Sequence, residues 1–204
     1  MAEHAGTIHI IEDDASMRTA LARLLTASGY TVRDYPDASA FLVALDATLE
    51  GCIVLDIDMP GMDGVALQQR LLQLDCPLPI VFLTGQGDIA TSVRAVKAGA
   101  EDFLCKPVER APLLDAVNRG LARYRRQAAS ADSRRHLARR YDDLTARERE
   151  VFALLLTGAL NKQIADTLGN TERTVKAQRR AVMEKFGVRS VAELVAIATE
   201  LGLR

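Results

Sequence analysis

The first 120 residues alternate short apolar segments with segments of helical periodicity. The segment Cys52–Leu55 is hydrophobic at every position, which is typical of a strand buried on both faces of a parallel sheet. Repeated alternation of strand and helix predicts an α/β fold with a five-stranded, doubly wound parallel sheet. The predicted strands are Thr7–Ile11, Thr31–Tyr35, Cys52–Leu55, Ile80–Leu83 and Asp102–Cys105. The predicted helices are Ala15–Ser28, Asp37–Leu45, Val65–Leu74, Ile89–Ala98 and one that starts at Glu109.

From Leu144 onward the pattern is helical. Thr145-Ala-Arg-Glu148 is a capping box, which predicts the start of a helix. It is followed by two helices that are joined by a tight glycine-containing turn, and the second of these is basic. This arrangement predicts a small all-α helix-turn-helix domain. The predicted helices are 146–157, Asn161–Leu168, one that is capped by Thr171 and ends at Phe186, and Val191–Leu201.

The helix that follows Thr171 has two unlike faces. At about 100° per residue, Val175, Val182 and Phe186 share one side and are expected to be buried. The opposite side carries cations around one small side chain. Arg and Lys can read guanine edges in a DNA major groove and Ala can contact a thymine methyl, although an ordinary solvated helix face has a similar composition. This polar side consists of Arg173, Lys176, Ala177, Arg180 and Glu184.

Between Gly120 and Gly158 the sequence contains neither Gly nor Pro, and residues 121–141 are rich in strong helix formers. We therefore expect the last helix of the α/β half to continue as a long connecting helix. Eight arginines in or beside this segment fit a solvated spacer, and they also fit contacts with DNA phosphates or with the acidic half of the chain. They are Arg119, Arg123, Arg125, Arg126, Arg134, Arg135, Arg139 and Arg140.

The net charge of −1 conceals an asymmetry. Residues 1–120 carry 17 Asp and Glu against 9 Lys and Arg, whereas residues 121–204 carry 10 against 17. An acidic half joined to a basic half predicts two domains, of which the second faces a polyanion. No apolar segment approaches 18 residues and no signal-peptide core is present, so we expect a soluble, cytoplasmic protein without a membrane partner. The cysteines have no metal-ligand spacing and are expected to be buried free thiols: Cys52, Cys76 and Cys105.

Five chemically reactive side chains stand at or just after the carboxyl ends of predicted strands. Because parallel strands end at the same edge of a sheet, these side chains are expected to converge. Three carboxylates repel one another unless a cation lies among them, and oxygen ligands suit Mg²⁺. A lysine and a threonine can hold phosphoryl oxygens, so we interpret Asp56 as an acceptor that forms an aspartyl phosphate. The five are Glu12, Asp13, Asp56, Thr84 and Lys106.

These residues stand in motifs that resemble the receiver domain of two-component response regulators, which has a flavodoxin-like fold. The motifs are Ile10-Ile-Glu12-Asp13-Asp14, Leu55-Asp56-Ile-Asp58-Met-Pro60-Gly-Met-Asp63-Gly64, Leu83-Thr84-Gly85 and Phe103-Leu-Cys-Lys106-Pro107. The resemblance implies that a sensor histidine kinase phosphorylates Asp56, that Thr84 and Lys106 hold the phosphoryl oxygens, and that the Lys106–Pro107 bond is cis. It also implies Mg²⁺, or Mn²⁺, on four ligands: Asp13, Asp56, the backbone carbonyl of Asp58, and Glu12 mostly through a water molecule.

Glu12 replaces the commoner Asp of this family, and Asp58 adds a negative charge near the acceptor. The resemblance further implies a switch pair, in which Phe103 swings inward once Thr84 turns toward the phosphoryl group, although an ordinary core aromatic would also fit at Phe103. Receivers of this family commonly dimerise on the adjoining face. Here that face carries Ile89, Val93 and Arg94.

The second half is similar to the LuxR-type DNA-binding domain, so the whole chain resembles a response regulator of the NarL/FixJ subfamily. The motifs are Leu144-Thr-Ala-Arg-Glu148-Arg-Glu-Val151, Asn161-Lys162-Gln-Ile164-Ala165, Thr174-Val-Lys176 and Val188-Arg189-Ser190-Val-Ala-Glu193-Leu194. The resemblance implies double-stranded DNA as a partner. Bases would be contacted by Lys176, Ala177 and Arg180, and phosphates by Asn161, Lys162, Thr174 and Arg179. Two subunits would pair through the last helix, at Val191, Leu194, Val195 and Ala198.

We expect a receiver domain over 1–120, a helical linker over 121–143 and a DNA-binding domain over 144–204. The first hypothesis is a transcription regulator, not an enzyme by role and more often an activator in this subfamily. It would dimerise on phosphorylation, bind an inverted repeat and work with RNA polymerase holoenzyme. A DNA binder that ignores phosphorylation is the alternative, which Glu12 and Asp58 keep open. A Mg²⁺-dependent phosphohydrolase is disfavoured, because haloacid-dehalogenase-type phosphatases carry their Asp-x-Asp after the first strand and need a substrate cap.

Overall fold

The computed structural model describes residues 6–46, 48–85 and 99–203. The chain divides into two compact units, Met1–Gln127 and Ala128–Arg204. The helix that begins at Arg110 continues to Asp142, as the lack of Gly and Pro after Gly120 predicts. Within the described ranges, no helix is both long and apolar enough to cross a membrane.

A five-stranded parallel sheet forms the centre of the N-terminal unit, and its strand order is β2-β1-β3-β4-β5. This confirms the predicted doubly wound sheet. Two strands extend one residue further than expected, since they include Asp56 and Thr84. The strands are β1 (Thr7–Ile11), β2 (Thr31–Tyr35), β3 (Cys52–Asp56), β4 (Ile80–Thr84) and β5 (Asp102–Cys105).

The first three helices of this unit begin at aspartate caps. The side chains of Asp14, Asp37 and Asp63 each accept a hydrogen bond from the backbone N–H three residues later, which stabilises an N-terminus. The predicted helix Ile89–Ala98 lies outside the described residues. The helices are α1 (Ala15–Ala27), α2 (Ala38–Ala44), α3 (Gly64–Gln73) and α4 (Arg110–Asp142).

Aliphatic cores cover both faces of the sheet, because successive strand residues point to opposite faces. In β3, Ile53 and Leu55 join the core beneath α2 and α3, whereas Cys52 and Val54 join the core beneath α1 and α4. Every residue of β3 and β4 is buried. The two strands that carry Asp56 and Thr84 are therefore held from both sides.

The burial predicted for the cysteines is correct only in part. Cys52 is fully buried, Cys76 is half-buried and Cys105 is exposed. Cys105 ends β5, which lies at the edge of the sheet order and is covered less completely than the central strands. An apolar-looking strand sequence does not reveal this edge position.

Gly64 allows α3 to begin directly beside the end of β3. A Cβ at this position would lie only 2.4 Å from the carbonyl oxygen of Asp56. The Gly64 N–H donates to the carbonyl of Ile57 at 2.9 Å, which closes the loop that follows the strand. The lack of a side chain at Gly64 therefore permits this close approach to the backbone of Asp56, and the hydrogen bond to Ile57 holds it.

Helices also build the C-terminal unit around a single core. Val175, Val182 and Phe186 are buried in this core, which confirms the predicted apolar face. The helices are α5 (Ala146–Leu156), α6 (Asn161–Leu168), α7 (Glu172–Phe186) and α8 (Val191–Glu200). Thr145 and Glu148 form the predicted capping box of α5.

The end of α4 also belongs to the C-terminal unit. Leu137 and Tyr141 pack against its core, and the Tyr141 ring lies 5.4 Å from the ring of Phe152. The Arg140 guanidinium donates to the carbonyl of Phe186, the last residue of α7, at 2.6 Å. Part of the segment predicted as a linker therefore supplies contacts to the helix-turn-helix domain.

Candidate functional site

Three carboxylates meet at the carboxyl edge of the sheet, as the strand ends predict. Glu12 and Asp13 directly follow β1, and Asp56 is the last residue of β3. One carboxylate oxygen from each lies within 4.8 Å of the other two. Glu12 and Asp56 are only 1% and 2% exposed, whereas Asp13 is open to solvent. The cluster is thus buried on one side and accessible on the other.

Lys106 reaches this cluster from the end of β5. Its Nζ lies 2.8 Å from Oε2 of Glu12 and 3.0 Å from Oδ2 of Asp56, so one ammonium bridges two buried carboxylates. Its backbone N–H donates to the carbonyl of Thr84 at 2.7 Å, and the Lys106–Pro107 peptide bond is cis, as expected. The structure therefore brings Lys106 to the predicted acceptor.

Burial and charge shift the pKa values of Glu12 and Lys106. Burial raises the pKa of Glu12, the hydrogen bond from Lys106 opposes this, and the negative charge of Asp56 adds to the rise. For Lys106, burial alone would lower the pKa, but its bonds to Glu12 and Asp56 outweigh burial and raise it. The lysine therefore stays charged, and three carboxylates face one cation.

The donor set fits a hard divalent cation. Carboxylate oxygens close enough to bind one ion are the ligands that Mg²⁺ or Mn²⁺ takes in proteins, and Asp13 is open to the water that Mg²⁺ usually retains. The side chain of Asp58 is exposed, and its backbone N–H donates weakly to Oδ1 of Asp56 at 3.4 Å. The metal-ligand role of the Asp58 carbonyl stays a prediction.

The predicted switch residues lie on β4 and β5, the two strands that follow β3 in the sheet order. Thr84 is 7% exposed, and its hydroxyl donates to the carbonyl of Gly85 at 3.1 Å. Phe103 is half-buried, and its ring lies 5.7 Å from that of Phe82. The partial burial of Phe103 leaves both the switch and the core-aromatic interpretation open.

Arg18, in α1, is a neighbour of the site that the sequence motifs do not indicate. Its Nη1 donates to the carbonyl oxygens of Glu12 at 2.7 Å and Asp13 at 3.2 Å. A clue was present in its position, one helical turn after the cap Asp14, from which a long side chain can fold back toward the helix N-terminus.

The polar face of α7 is exposed, as predicted. Lys176, Ala177 and Arg180 are open to solvent, and so is Thr174. Arg180 forms an ion pair with Glu184 at 2.7 Å, and Arg179 donates to Oδ1 of Asn161 at 3.2 Å. Lys162 is exposed at the start of α6.

A cleft of about 360 Å³ opens on this surface. It brings together predicted base and phosphate contacts from α6 and α7. Arg189, which was not predicted to contact DNA, lies at the same cleft. The lining residues are Asn161, Lys176, Arg179, Arg180, Met183, Val188 and Arg189.

Two of the predicted dimer contacts on α8 are wrong. Leu194 is fully buried and Ala198 is 2% exposed, and both belong to the core of the C-terminal unit. Their side chains are already enclosed by their own domain, so they cannot present a surface to a second subunit. Val191 and Val195 are half-exposed. The predicted receiver contacts Ile89, Val93 and Arg94 lie outside the described residues.

Arg119 and Arg123, two of the eight arginines in or beside the connecting segment, form ion pairs with acidic side chains. Arg119 pairs with Asp102, Asp115 and Glu101, the last at 3.8 Å, and Arg123 pairs with Glu101 at 3.4 Å. These arginines therefore contact acidic residues of the N-terminal unit. Such half-exposed ion pairs contribute little stability individually.

Comparison with known families gives two matches along the chain. Residues 8–118 match the response regulator receiver domain, and residues 142–198 match the bacterial regulatory proteins of the luxR family. The chain is 39% identical over 198 residues to the transcriptional regulatory protein FixJ of Bradyrhizobium diazoefficiens, covering 97% of each protein. It is 37% identical over 201 residues to the response regulator protein TodT of Pseudomonas putida, covering 98% of this chain and 88% of TodT.

Solved structures of two response regulators also match nearly the whole chain. The response regulator StyR matches with a TM-score of 0.86 and 42% identity, over 96% of this chain and 98% of StyR. Full-length FixJ from B. japonicum matches with a TM-score of 0.60 and 39% identity, over 98% of both chains.

Proposed function

Because the chain belongs to the FixJ/NarL-type response regulators, which join a receiver domain to a LuxR-type DNA-binding domain, we propose that it controls transcription through phosphorylation of Asp56. One observation carries the choice of acceptor. Asp56 is a buried carboxylate at a strand end, where Lys106 and two further carboxylates meet it. Its partners are DNA and a sensor kinase.

The chemical step is a phosphoryl transfer from a kinase phosphohistidine. A carboxylate oxygen of Asp56 forms a bond to phosphorus while the phosphorus–nitrogen bond breaks, and the imidazole leaves with the electron pair. Glu12 and Asp13 would hold the divalent cation together with Asp56. When bound, the cation neutralises charge on the phosphoryl oxygens.

Lys106 and Thr84 would orient the product. The Lys106 ammonium, 3.0 Å from Oδ2 of Asp56, lies where it can bind a phosphoryl oxygen. The Thr84 hydroxyl would give up its hydrogen bond to the Gly85 carbonyl and donate to a second phosphoryl oxygen. Inward movement of Phe103 would then pass the change to the neighbouring surface, and we propose that this change promotes dimerisation.

On DNA, the α7 face would lie in the major groove. Lys176 and Ala177 are exposed for base contacts, and Arg180 would exchange Glu184 for a guanine edge. The cleft beside them would hold phosphates through Arg179 and Asn161. A dimer would bind an inverted repeat and act as an activator with RNA polymerase holoenzyme.

Sedimentation tests the acceptor, the cation and dimerisation together. We expect purified protein to be a monomer that dimerises with Mg²⁺ and beryllofluoride, a phosphoryl mimic, and Asp56→Ala to remain monomeric under the same conditions. Dimerisation of Asp56→Ala with beryllofluoride would contradict the assigned acceptor.

DNA binding separates the proposal from a regulator that ignores phosphorylation. Labelled promoter fragments would be titrated with wild-type protein and Asp56→Asn, each with and without a small phosphodonor. We expect the phosphodonor to tighten binding of the wild type only. Equal affinities in all four titrations would favour the phosphorylation-independent alternative.

A further inference from the structure

Arg18 holds the backbone of the two residues that begin the acidic site. Its Nη1 donates to the carbonyl oxygens of both Glu12 and Asp13, and its Nε lies 3.3 Å from Oδ2 of Asp34. The Arg18 side chain is 17% exposed, whereas that of Asp34 is 53% exposed. The guanidinium is thus mostly enclosed and directed at main-chain atoms.

Arg18 contacts the chain at the point where β1 ends and its regular pairing with the neighbouring strands stops. Glu12 and Asp13 follow the last residue of β1, and the Glu12 N–H still donates to the Tyr35 carbonyl at 3.2 Å. Asp34 precedes Tyr35 in β2, so Arg18 ties the loop after β1 to the neighbouring strand. A fixed backbone restricts the directions in which the two carboxylates can point.

We propose that Arg18 is a positioning residue for the cation site. By holding the two carbonyls it keeps the Glu12 and Asp13 carboxylates directed at Asp56, without touching the cation. Groups that orient metal ligands in this way strongly affect metal affinity. The inference rests on the proposed function, since it requires a divalent cation at these carboxylates.

The two possible roles of Arg18, positioning of the ligands and simple charge, predict opposite changes in cation affinity when Arg18 is removed. The positive charge of Arg18 repels a cation nearby, so its removal should tighten metal binding if charge alone matters. If the side chain positions the ligands, its removal should weaken binding. The sign of the change therefore decides between the two roles.

The test is a titration of the full-length protein with Mn²⁺, in which the free ion is followed by its electron paramagnetic resonance signal. We expect Arg18→Gln to raise the Kd by about 10-fold. Arg18→Lys can still donate to a carbonyl but cannot also bind Asp34 through a planar fork, so we expect an increase in Kd smaller than that of Arg18→Gln. Arg23→Gln, an exposed arginine of the same helix, is the matched control and should bind like wild type.

A second measurement separates positioning from general support of the fold. Phosphorylation by acetyl phosphate would be followed while Mg²⁺ is varied. We expect Arg18→Gln to need a higher Mg²⁺ concentration for half-maximal rate, with the rate at saturating Mg²⁺ close to that of wild type. A lower saturating rate with an unchanged Mg²⁺ requirement would overturn the inference.

The remaining outcomes are equally distinct. Unchanged or tighter Mn²⁺ binding by folded Arg18→Gln overturns the positioning role. If circular dichroism shows that Arg18→Gln does not fold, Arg18→Lys decides alone, and wild-type affinity in that variant overturns the inference. The wild type and Asp13→Asn test the premise. A wild type that binds no Mn²⁺ overturns both proposals, whereas wild-type binding that Asp13→Asn abolishes leaves the Arg18 variants to decide.

Discussion

At the scale of single residues, the backbone beside the acceptor leaves no room for a side chain at Gly64. A Cβ there would meet the Asp56 carbonyl oxygen at 2.4 Å, and backbone atoms cannot yield as a flexible side chain can. We expect Gly64→Ala to lower the free energy of unfolding of the receiver by about 1–3 kcal/mol.

Gly85 provides the matched control, since it also follows a strand of the site. Among the residues that the structure describes, a Cβ at Gly85 would meet only Oδ2 of Asp58, at 3.7 Å, which is an ordinary contact. We expect Gly85→Ala to stay within about 0.5 kcal/mol of wild type in the same urea titration. Equal losses in the two variants would contradict the steric explanation.

His9 makes receiver stability depend on pH. Burial lowers its pKa below the ordinary 6.5, the Glu50 hydrogen bond opposes this, and the charge of Arg33 lowers the pKa further. The neutral ring donates from Nε2 to the Glu50 carbonyl at 3.1 Å, which leaves Nδ1 to accept from the Tyr35 hydroxyl at 3.3 Å. Protonation would place a charge in this buried position and would require the second bond to reverse, with Nδ1–H donating to the Tyr35 oxygen.

Since the unfolded chain takes up this proton at a higher pH than the folded chain, stability should fall as pH drops below 6.5 and level off below the folded pKa. Urea titrations across this range should show a shallower loss for His9→Gln than for wild type. The exposed His136→Gln is the control and should follow wild type. Parallel curves for His9→Gln and wild type would refute the assignment.

The residues of the site differ in how well the sequence could predict them. Asp56 and Lys106 converge because parallel strands end at one edge, which sequence order alone indicates. The role of Arg18 depends on how a long side chain folds back onto two carbonyl groups, and no spacing rule specifies that choice. Motif spacing therefore locates the reactive atoms more readily than the groups that hold them.

At the scale of elements, the apolar stripe of α8 shows why a helical pattern can mislead. Val191, Leu194, Val195 and Ala198 share one side, and such a stripe can face either a second subunit or the domain's own core. Leu194 and Ala198 pack into the core, so the stripe is mostly internal. Periodicity indicates that a face is buried, but it does not identify the partner.

The end of α4 should contribute to the stability of the DNA-binding domain. Leu137 and Tyr141 pack on its core, and Arg140 satisfies the last carbonyl of α7. We expect a fragment of residues 128–204 to be at least about 2 kcal/mol more stable than one of residues 144–204, because the shorter fragment loses this apolar contact. Thermal unfolding followed by circular dichroism measures the difference, and coinciding curves would contradict the assignment.

At the scale of the whole molecule, the two units differ in charge. Residues 1–127 carry 17 Asp and Glu against 12 Lys and Arg, whereas residues 128–204 carry 10 against 14. DNA repels the first set and attracts the second. We expect the fragment 128–204 to bind non-specific duplex DNA more tightly than the unphosphorylated full chain at low salt.

The difference in DNA affinity between the fragment and the full chain should shrink at physiological ionic strength, where the Debye length is about 8 Å. Fluorescence anisotropy with a labelled duplex, repeated over a salt series, measures it. Lys162→Ala, at a predicted phosphate contact, is the internal control, and in both proteins we expect it to reduce the salt slope by about one. A full chain that binds as tightly as the fragment at low salt would show that the acidic unit does not oppose DNA binding.

The exposed position of Cys105 makes the receiver accessible to optical study. The chain has no tryptophan, so its own fluorescence is weak. Burial raises the pKa of the Cys52 thiol to about 12 and that of the half-buried Cys76 as well, which disfavours attack by both on a thiol-reactive dye. Of the three cysteines, Cys105 is the one that is exposed, and it is the strand neighbour of Thr84 and the residue before Lys106. A single maleimide dye would therefore sit beside Thr84 and Lys106, two strands from the phosphoacceptor, where it can follow changes at the site in real time.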